Sequence, residues 1–413
     1  MRVCDHEDIE SGTLGMSARQ FTGNFTQQEA IPEAGIDAAV GVLRSGRLHR
    51  YNAGAGETPP TSALERAYAD WQGADFCLAT ASGGQALQIA MRAAGVTPGD
   101  TVLTNAFTLA PVPGAIAAVG ASPVFVETTE VLRIDFDDLA AKADKTGAKY
   151  LLLSHMRGHL CDMERLMECA RGLGLTVIED CAHTMGARWD GVRSGNHGLA
   201  GCFSTQTYKH INSGEGGLLT SNDPEFMARA IMLSGSYMLY ARHGAAPDEK
   251  YFATARLETP NASARLDNLR AAILLPQLAA LEQNVERWNE RYAAADTALR
   301  RRNEIVCIDR PEREEMVGSS IQFRVPRFDA ATAKAFVDLT ASRGVELKWF
   351  GAPEPHGFTS TYTSWTYAPP QSLPRSDAIF ATLFDMRLPL TFSVDDCQLI
   401  GDIIGECVAE LCR

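Results

Sequence analysis

The stretch AKYLLLSHMRGHLCDMERLMECARGLGLTVIED, residues 148–180, decides the fold. Its apolar runs at 148–155 and 175–180 have the length of buried strands, and the segment between them has the spacing of a helix. A strand, a helix and a second strand in this order are typical of a βαβ unit, whose parallel strands are buried on both faces. The stretch therefore predicts an α/β protein with a mostly parallel sheet.

The same alternation continues on both sides of this stretch. Helical segments lie between several further strand-like apolar runs, at 74–80, 100–107, 122–129 and 200–205. We therefore predict a large α/β domain over residues 31–264, preceded by an N-terminal extension over residues 1–30.

After residue 260 the pattern changes. Residues 265–302 form one long amphipathic helical pattern that is interrupted at Pro276. Two strand-like runs, SSIQFRVP at 319–326 and GVELKWFG at 344–351, flank a helix, and a closing helix covers roughly 393–411. This order predicts a connecting helix and a smaller α+β domain over residues 265–413.

Composition argues against several classes of function. The chain has 413 residues and a formal net charge of −13, which argues against nucleic acid or an anionic membrane as the main partner. Its ten cysteines include no CxxC pair, which favours reduced thiols in a cytoplasmic protein over disulfides or a metal site. Neither a signal peptide nor an apolar stretch near the ~20 residues of a membrane span is visible.

A first candidate for ligand binding is the turn Ser82-Gly83-Gly84, which lies between a predicted strand and a predicted helix. Free N–H groups at a helix N-terminus bind anions, and glycines allow a ligand to approach the backbone closely. The alternative is a tight turn in which Ser82 only caps the helix. The turn contains no GxxxxGK pattern, so it does not resemble a nucleotide-binding P-loop.

A carboxylate, Asp180, lies at the end of an apolar strand, where α/β sheets present residues to ligands. Adjacent Glu179 points to the other face if the strand continues, so the two do not form a carboxylate pair. His183 follows three residues later, where it can reach the same ligand as Asp180. The alternative for Asp180 is a helix cap or a structural salt bridge.

Lys209 lies in FSTQTYKHINSGEGGLLTSND, residues 203–223, between two predicted strands. An anion-binding turn, a carboxylate and an amine are the groups that pyridoxal 5′-phosphate (PLP) requires, for its phosphate, its pyridinium nitrogen and its Schiff base. Ser204 is close enough in sequence to donate a hydrogen bond to the same phosphate. The alternative for Lys209 is a cation that only binds phosphate.

Together these motifs resemble a known family. GASPVFVE (120–127), SHMRGHLCDM (154–163), VIEDCAHTMGA (177–187) and the stretch at 203–223 are similar to the DegT/DnrJ/StrS aminotransferases, which act mostly on keto-sugars. The resemblance implies fold type I of the PLP-dependent transferases and a homodimer with the cofactor near the subunit interface. It also implies a small-molecule amino donor and a keto acceptor as partners.

The resemblance assigns a role to each matching position. Lys209 corresponds to the lysine that carries the cofactor, Asp180 to the partner of the pyridinium nitrogen, and His183 to a residue near the phenolic oxygen; these three are the predicted catalytic residues. The other matching cofactor contacts are Ser82, Gly83, Gly84, Ala182 and Ser204. The residues assigned to the substrate side are Arg44, Arg47, His155 and Arg157.

Three positions depart from the family pattern. The aromatic residue that usually covers the cofactor ring is replaced by Leu109, which leaves Phe107 as the candidate for that contact. The asparagine that the family sends across the dimer to the phosphate matches Ser263, with Asn261 close by. Arg47 replaces the tryptophan of an N-terminal SGW-like motif. The surroundings of the substrate therefore differ from the family pattern more than those of the cofactor.

The function predicted from this resemblance is transfer of an amino group from glutamate or glutamine to a keto-sugar, with a nucleotide-linked sugar as the first candidate. A non-sugar ketone or keto-cyclitol is an alternative acceptor, and a cofactor-binding regulator without turnover is an alternative function. Family dehydratases carry histidine in place of the cofactor lysine, so Lys209 argues against them.

A basic patch, Arg44, Arg47, His49 and Arg50, lies in this otherwise acidic chain. If the patch serves function, it binds an anionic group of the acceptor, such as a diphosphate or a carboxylate. The alternative is a solvated surface.

Overall fold

A seven-stranded sheet forms the centre of the structure, a computed structural model that describes residues 18–413 except residue 55. The strands between residues 76 and 221 are β1 (Phe76–Thr80), β2 (Thr101–Asn105), β3 (Ser122–Val126), β4 (Tyr150–Ser154), β5 (Thr176–Asp180), β6 (Arg188–Trp189), β7 (Val192–Arg193), β8 (Ala200–Ser204) and β9 (Gly217–Ser221). All except the two-residue strands β6 and β7 join this sheet, in the order β1-β9-β8-β5-β4-β2-β3.

The strands of this sheet run parallel except for β9, which lies antiparallel between β8 and β1. The predicted mostly parallel α/β sheet is therefore confirmed. The βαβ unit predicted at residues 148–180 consists of β4, a helix and β5. Strands β4 and β5 pair in register from Tyr150 with Thr176 to Ser154 with Asp180.

Helices cover both faces of the sheet. Those that precede or flank it are α1 (Glu33–Ser45), α2 (Pro60–Gln72), α3 (Gly83–Ala93), α4 (Pro111–Ala118), α5 (Phe136–Thr146), α6 (Met163–Gly172), α7 (Pro224–Ser234), α8 (Phe252–Glu258) and α9 (Asn268–Leu278). Val177 of β5 packs in a core with α2, α5, α6 and α9, whereas its neighbour Ile178 packs in a second core with α3, α4, α7 and α8. The alternation of side chains along a strand thus divides one buried strand between two cores.

The C-terminal part of the chain forms a second sheet. Its elements are α10 (Leu281–Leu299), β10 (Val306–Cys307), β11 (Glu314–Glu315), β12 (Ser320–Arg324), α11 (Ala330–Ser342), β13 (Lys348–Trp349), α12 (Pro374–Phe380), β14 (Leu383–Arg387) and α13 (Val394–Leu411). Strands β10, β12, β14 and β13 form an antiparallel sheet in that order, while β11 pairs with β6. Short 3-10 turns lie at Met156–Gly158, Tyr237–Arg242, Glu249–Tyr251 and Tyr362–Ser364.

The predicted connecting helix over residues 265–302 is two helices in the structure. Pro276 lies inside α9, and the break falls at residues 279–280, between α9 and α10. Strand β14 was not predicted because its sequence, LFDMR, carries two charged residues, Asp385 and Arg387.

The segment before α1 packs on the C-terminal core. The rings of Phe21 and Phe25 each lie 4.9 Å from that of Phe392, in edge-to-face geometry. Phe21 and Phe25 of the predicted N-terminal extension therefore belong to the core around the second sheet. Residues 1–17 of that extension lie outside the described residues, and the division into domains stays a prediction.

Two expectations from composition bear on the whole described chain. The nine cysteines among the described residues are free thiols, and the expectation of a reducing compartment stays a prediction. None of the helices within the described ranges is both long enough and apolar enough to cross a bilayer.

Candidate active site

A cavity of about 560 Å³ lies at the carboxyl ends of β4, β5 and β8, beside the first turn of α3. Ligands in α/β proteins bind at this edge of the sheet. The cavity brings together many of the residues that the sequence motifs single out: Ser82, Gly83, Gly84, Leu109, Arg157, Asp180, Ala182, His183, Ser204 and Lys209. Segments far apart in the sequence thus supply one site.

The first turn of α3 forms one end of the cavity. Ser82 caps the helix, because its Oγ accepts a hydrogen bond from the Gln85 N–H at 3.1 Å. The next N–H groups, of Gly83 and Gly84, have no acceptor within the helix and can bind an anion. A Cβ on Gly83 would lie 2.9 Å from the Cβ of Ser204, so glycine permits the close approach of Ser204 to this turn. The cap and the anion site, treated above as alternatives, are therefore compatible.

Asp180 lies at the end of β5 and is held by two hydrogen bonds. Ser154 Oγ donates to its Oδ2 at 3.0 Å, and the Ala182 N–H donates to its Oδ1 at 3.2 Å. Ser154 Oγ in turn accepts from Thr108 Oγ1 at 2.9 Å, which fixes its orientation. Burial raises the pKa of Asp180 above its ordinary value, so a cationic ligand atom would stabilise the carboxylate.

Glu179 points to the opposite face of the sheet, as the alternation along β5 predicts. Its two carboxylate oxygens accept hydrogen bonds from the N–H groups of Gly195, His197 and Gly198 and from His155 Nε2, which lies 2.9 Å away. His155 is 1% exposed and does not line the cavity. Its assignment to the substrate side is therefore wrong, because its ring forms a buried pair with Glu179.

Lys209 and His183 are neighbours in the cavity, with Nζ 3.2 Å from Nε2. Burial, and then the positive charge of Arg157, lower the pKa of Lys209 to about 7. Burial also lowers the pKa of His183 well below its ordinary value, so its imidazole is neutral and Nε2 can accept a hydrogen bond from Lys209. A lysine amine that is partly neutral at pH 7 is a competent nucleophile and base.

Phe107 does not reach the cavity. Its side chain is 1% exposed and packs against Phe350, with ring centroids 5.2 Å apart. The aromatic ring is buried among other apolar side chains of the C-terminal part, whereas Leu109, two residues later, lines the cavity wall. The expectation that Phe107 covers the cofactor ring is therefore wrong.

The predicted basic patch is not one surface. Arg50 is 1% exposed, and its guanidinium donates to both carboxylate oxygens of Glu65 at 2.8 Å. Arg47 is partly exposed and forms an ion pair with Glu57, while Arg44 lies exposed in the last turn of α1. Neither Arg44 nor Arg47 lines the cavity of this chain.

Asn261 and Ser263 lie in the exposed segment between α8 and α9, where the Ser263 N–H donates to Asn261 Oδ1 at 2.8 Å. They do not line the cavity of their own chain.

Sequence reasoning missed other residues of the cavity, among them Gln206, Tyr208, Glu215, Lys348 and Arg387. The first three lie in the stretch at 203–223 around Lys209, so the sequence could have predicted that they lie near Lys209. Lys348 and Arg387 lie on β13 and β14 of the second sheet, and no motif connects them with Lys209.

Comparisons with known proteins identify relatives of this chain. The chain is 35% identical over 244 residues to the pleiotropic regulatory protein of Geobacillus stearothermophilus, a match that covers 57% of this chain and 60% of that protein. It is 33% identical over 283 residues to the UDP-2-acetamido-2-deoxy-3-oxo-D-glucuronate aminotransferase of Pseudomonas aeruginosa, covering 68% of this chain and 73% of that enzyme. The chain thus spans about three fifths of the length of the first of these relatives.

Among solved structures, that of 3-amino-5-hydroxybenzoic acid synthase superposes with a TM-score of 0.80. The superposition covers 95% of this chain and 100% of that one, at 24% sequence identity, which shows a shared fold. The DegT/DnrJ/EryC1/StrS aminotransferase family matches residues 33–404. Because this match extends over most of the sequence, the chain belongs to the DegT/DnrJ/EryC1/StrS aminotransferase family.

Proposed function

We propose that this protein is a PLP-dependent aminotransferase that moves an amino group from glutamate or glutamine to a keto-sugar, with a nucleotide-linked sugar as the first candidate. The observation that carries the proposal is one cavity in which Lys209 contacts His183 and shares the wall with Asp180 and the first turn of α3. Membership of the aminotransferase family supports the same reaction class.

The residues of the cavity fit PLP. Because Gly83 has no Cβ beside Ser204, the N-terminus of α3 stays open to the phosphate. Asp180, buried with an elevated pKa, suits a protonated pyridine nitrogen. When bound, PLP supplies an electron sink for the carbanion that transamination requires. Ala182 would lie under the cofactor ring, and His183 near its phenolic oxygen.

Lys209 has two tasks in this proposal. It would hold the cofactor, and its Nζ, when free, would move a proton to and from the substrate carbon. A pKa of about 7 makes Nζ a usable base and, when protonated, a usable acid at neutral pH. The neutral imidazole of His183, 3.2 Å from Nζ, orients the amine.

We also propose that the active unit is a homodimer. Asn261, Ser263, Arg44 and Arg47 lie on exposed segments outside the cavity of their own chain, where a second subunit can bring them to a neighbouring site. Sedimentation velocity would show a dimer, and a monomer at working concentration would contradict this arrangement.

Spectroscopy of the cofactor tests the proposed activity. Protein loaded with PLP is expected to lose its visible absorbance on addition of glutamate or glutamine and to recover it on addition of a keto acid. Retention of the absorbance with every amino donor would favour the alternative of a regulator without turnover, which the name of the Geobacillus relative brings into consideration.

The lowered pKa of Lys209 predicts how cofactor loading depends on pH. Only the neutral amine attacks the PLP aldehyde, and at a pKa of about 7 the neutral fraction rises about tenfold between pH 6 and pH 8 and then levels off. The rate of the absorbance change after cofactor-free protein is mixed with PLP is expected to follow this curve. A rate that still rises about tenfold per pH unit up to pH 9, as for an exposed lysine, would contradict the lowered pKa.

A further inference from the structure

Three cations form one wall of the cavity that contains Lys209. Arg157 follows β4, Lys348 lies on β13 and Arg387 ends β14. The wall is formed by residues other than those of the α3 turn that suits the cofactor phosphate, and the second sheet contributes two of its cations, Lys348 and Arg387. Its chemistry is therefore available to the substrate.

Arg157 is held in a conformation that costs free energy. Its φ of 55° places a non-glycine residue in the left-handed region, which persists only where the surroundings determine it. The side chain is 5% exposed, its Nη2 lies 2.6 Å from Asp385 Oδ2, and its Nε has no hydrogen-bond partner among the described residues. An arginine that is buried, positioned and incompletely paired is prepared to bind a further anion.

The partner of Arg157 is itself fixed by a buried network. Gln322 Nε2 donates to Asp385 Oδ1 at 2.8 Å, and His159 Nε2 donates to Gln322 Oε1 at 2.8 Å. Burial lowers the pKa of His159 well below its ordinary value, which agrees with a neutral ring that donates through Nε2. The network connects His159, which follows β4, through Gln322 of β12 to Asp385 of β14, and its hydrogen bond to Oδ1 orients the Asp385 carboxylate.

Positive charge on this wall exceeds the negative charge. Asp385 lies 2.6 Å from Arg157 and 3.7 Å from Lys348, so one carboxylate serves two cations. Arg387 stacks on the Tyr208 ring at 3.8 Å and forms no ion pair with a carboxylate in the described part of the chain. Glu215 also lines the cavity, at its exposed edge, and makes no ion pair with these cations within that part. Because partly buried cations are stabilised by a nearby negative charge, this wall favours binding of an anionic ligand.

We propose that Arg157, Lys348 and Arg387 bind a carboxylate of the substrate beside Lys209. The proposal deepens the proposed function, on which it rests for the identity of the ligand. The donor and the acceptor of a transaminase both place their reacting carbon beside Lys209. The carboxylate therefore belongs either to the amino-acid donor or to an acceptor that is itself anionic.

Binding of an unreactive probe tests the site without turnover. We would measure binding of glutarate, and of its uncharged analogue glutaramide, to PLP-loaded protein by calorimetry. Lys348→Met and Arg387→Gln are each expected to weaken glutarate binding at least about tenfold, because each removes a charged contact. Lys334→Met, an exposed lysine on α11, is the matched control and should bind glutarate like the wild type. Equal binding of glutarate and glutaramide, or unchanged glutarate binding in both variants, would overturn the proposal.

Arg157→Lys provides a variant that keeps the charge opposite Asp385. It should fold, and its loss of the planar guanidinium should still weaken glutarate binding relative to the wild type. Wild-type affinity for glutarate in Arg157→Lys would show that Arg157 does not bind the carboxylate.

The two half-reactions distinguish the sources of the carboxylate. If the donor supplies it, Lys348→Met and Arg387→Gln raise the half-saturation constant for glutamate and leave that for a neutral keto-sugar unchanged. If the acceptor also supplies a carboxylate, the variants also weaken binding of a carboxylate-bearing ketone. The protein could show no half-reaction while the two variants still weaken glutarate binding. That result would support the anion site and contradict the transaminase proposal. An intact half-reaction with unchanged constants in both variants would contradict the anion site alone.

Discussion

Replacement of Lys209 by alanine is expected to lower the rate of the donor half-reaction by at least about a thousandfold. The variant loses the amine that holds the cofactor and the base that moves the substrate proton, and proton transfer alone contributes a factor of about 10²–10⁴. The site should still bind PLP non-covalently, because the α3 turn, Ser204 and Asp180 remain. Single-turnover absorbance measurements with saturating glutamate would give the rate.

Lys334→Ala is the control for this experiment, since it removes an exposed lysine on α11 that pairs with Asp338 along its own helix. It should react like the wild type. A Lys209→Ala rate within about tenfold of the wild-type rate would show that another amine carries out the reaction.

Asp180→Asn is expected to reduce the catalytic step about 10²–10³-fold while changing the half-saturation constant for the donor much less. Asparagine keeps the shape of aspartate but lacks the negative charge that keeps the pyridine nitrogen protonated, so the cofactor becomes a weaker electron sink. Rates measured over a range of donor concentrations separate the two quantities.

Ser154→Ala provides a graded comparison. It removes one of two hydrogen bonds to Asp180 and leaves the carboxylate in place. A hydrogen bond to a charged group contributes about 1.5–3 kcal/mol, so the rate should fall less than in Asp180→Asn. A near-wild-type rate in Asp180→Asn would mean that another acid faces the cofactor ring.

Local patterns in the sequence were sufficient for much of the fold and for several of the residues that line the cavity. The apolar runs of β4 and β5 predicted parallel strands, and the two-residue period of a strand separated Asp180 from Glu179. The serine–glycine turn predicted the start of α3. These features depend on neighbouring residues, which a single sequence shows directly.

Features that depend on distant partners could not be predicted in this way. The sequence predicts that Arg50 belongs to a basic surface, because its partner Glu65 is apparent only in the structure. It likewise predicts that Phe107 contacts the cofactor, because the packing against Phe350 is apparent only in the structure. Lys348 and Arg387 reach the cavity through short strands of the second sheet, whose position relative to the first sheet has no signature in the local sequence.

Pro276 illustrates a further limit. A proline inside a helical pattern predicts a break, yet α9 continues through Pro276 and ends at Leu278. Tertiary packing of α9 against α1 and α2 outweighs the local preference of proline at this position.

Reduction of the PLP-loaded protein tests most directly whether Lys209 carries the cofactor. Borohydride treatment of PLP-loaded protein, followed by proteolysis and mass spectrometry, should find a pyridoxyl group on the peptide that contains Lys209 and on no other lysine peptide. The same treatment of Lys209→Ala should leave the protein unlabelled. A pyridoxyl group on Lys145, Lys149 or Lys348 in place of Lys209 would contradict the assignment of the site.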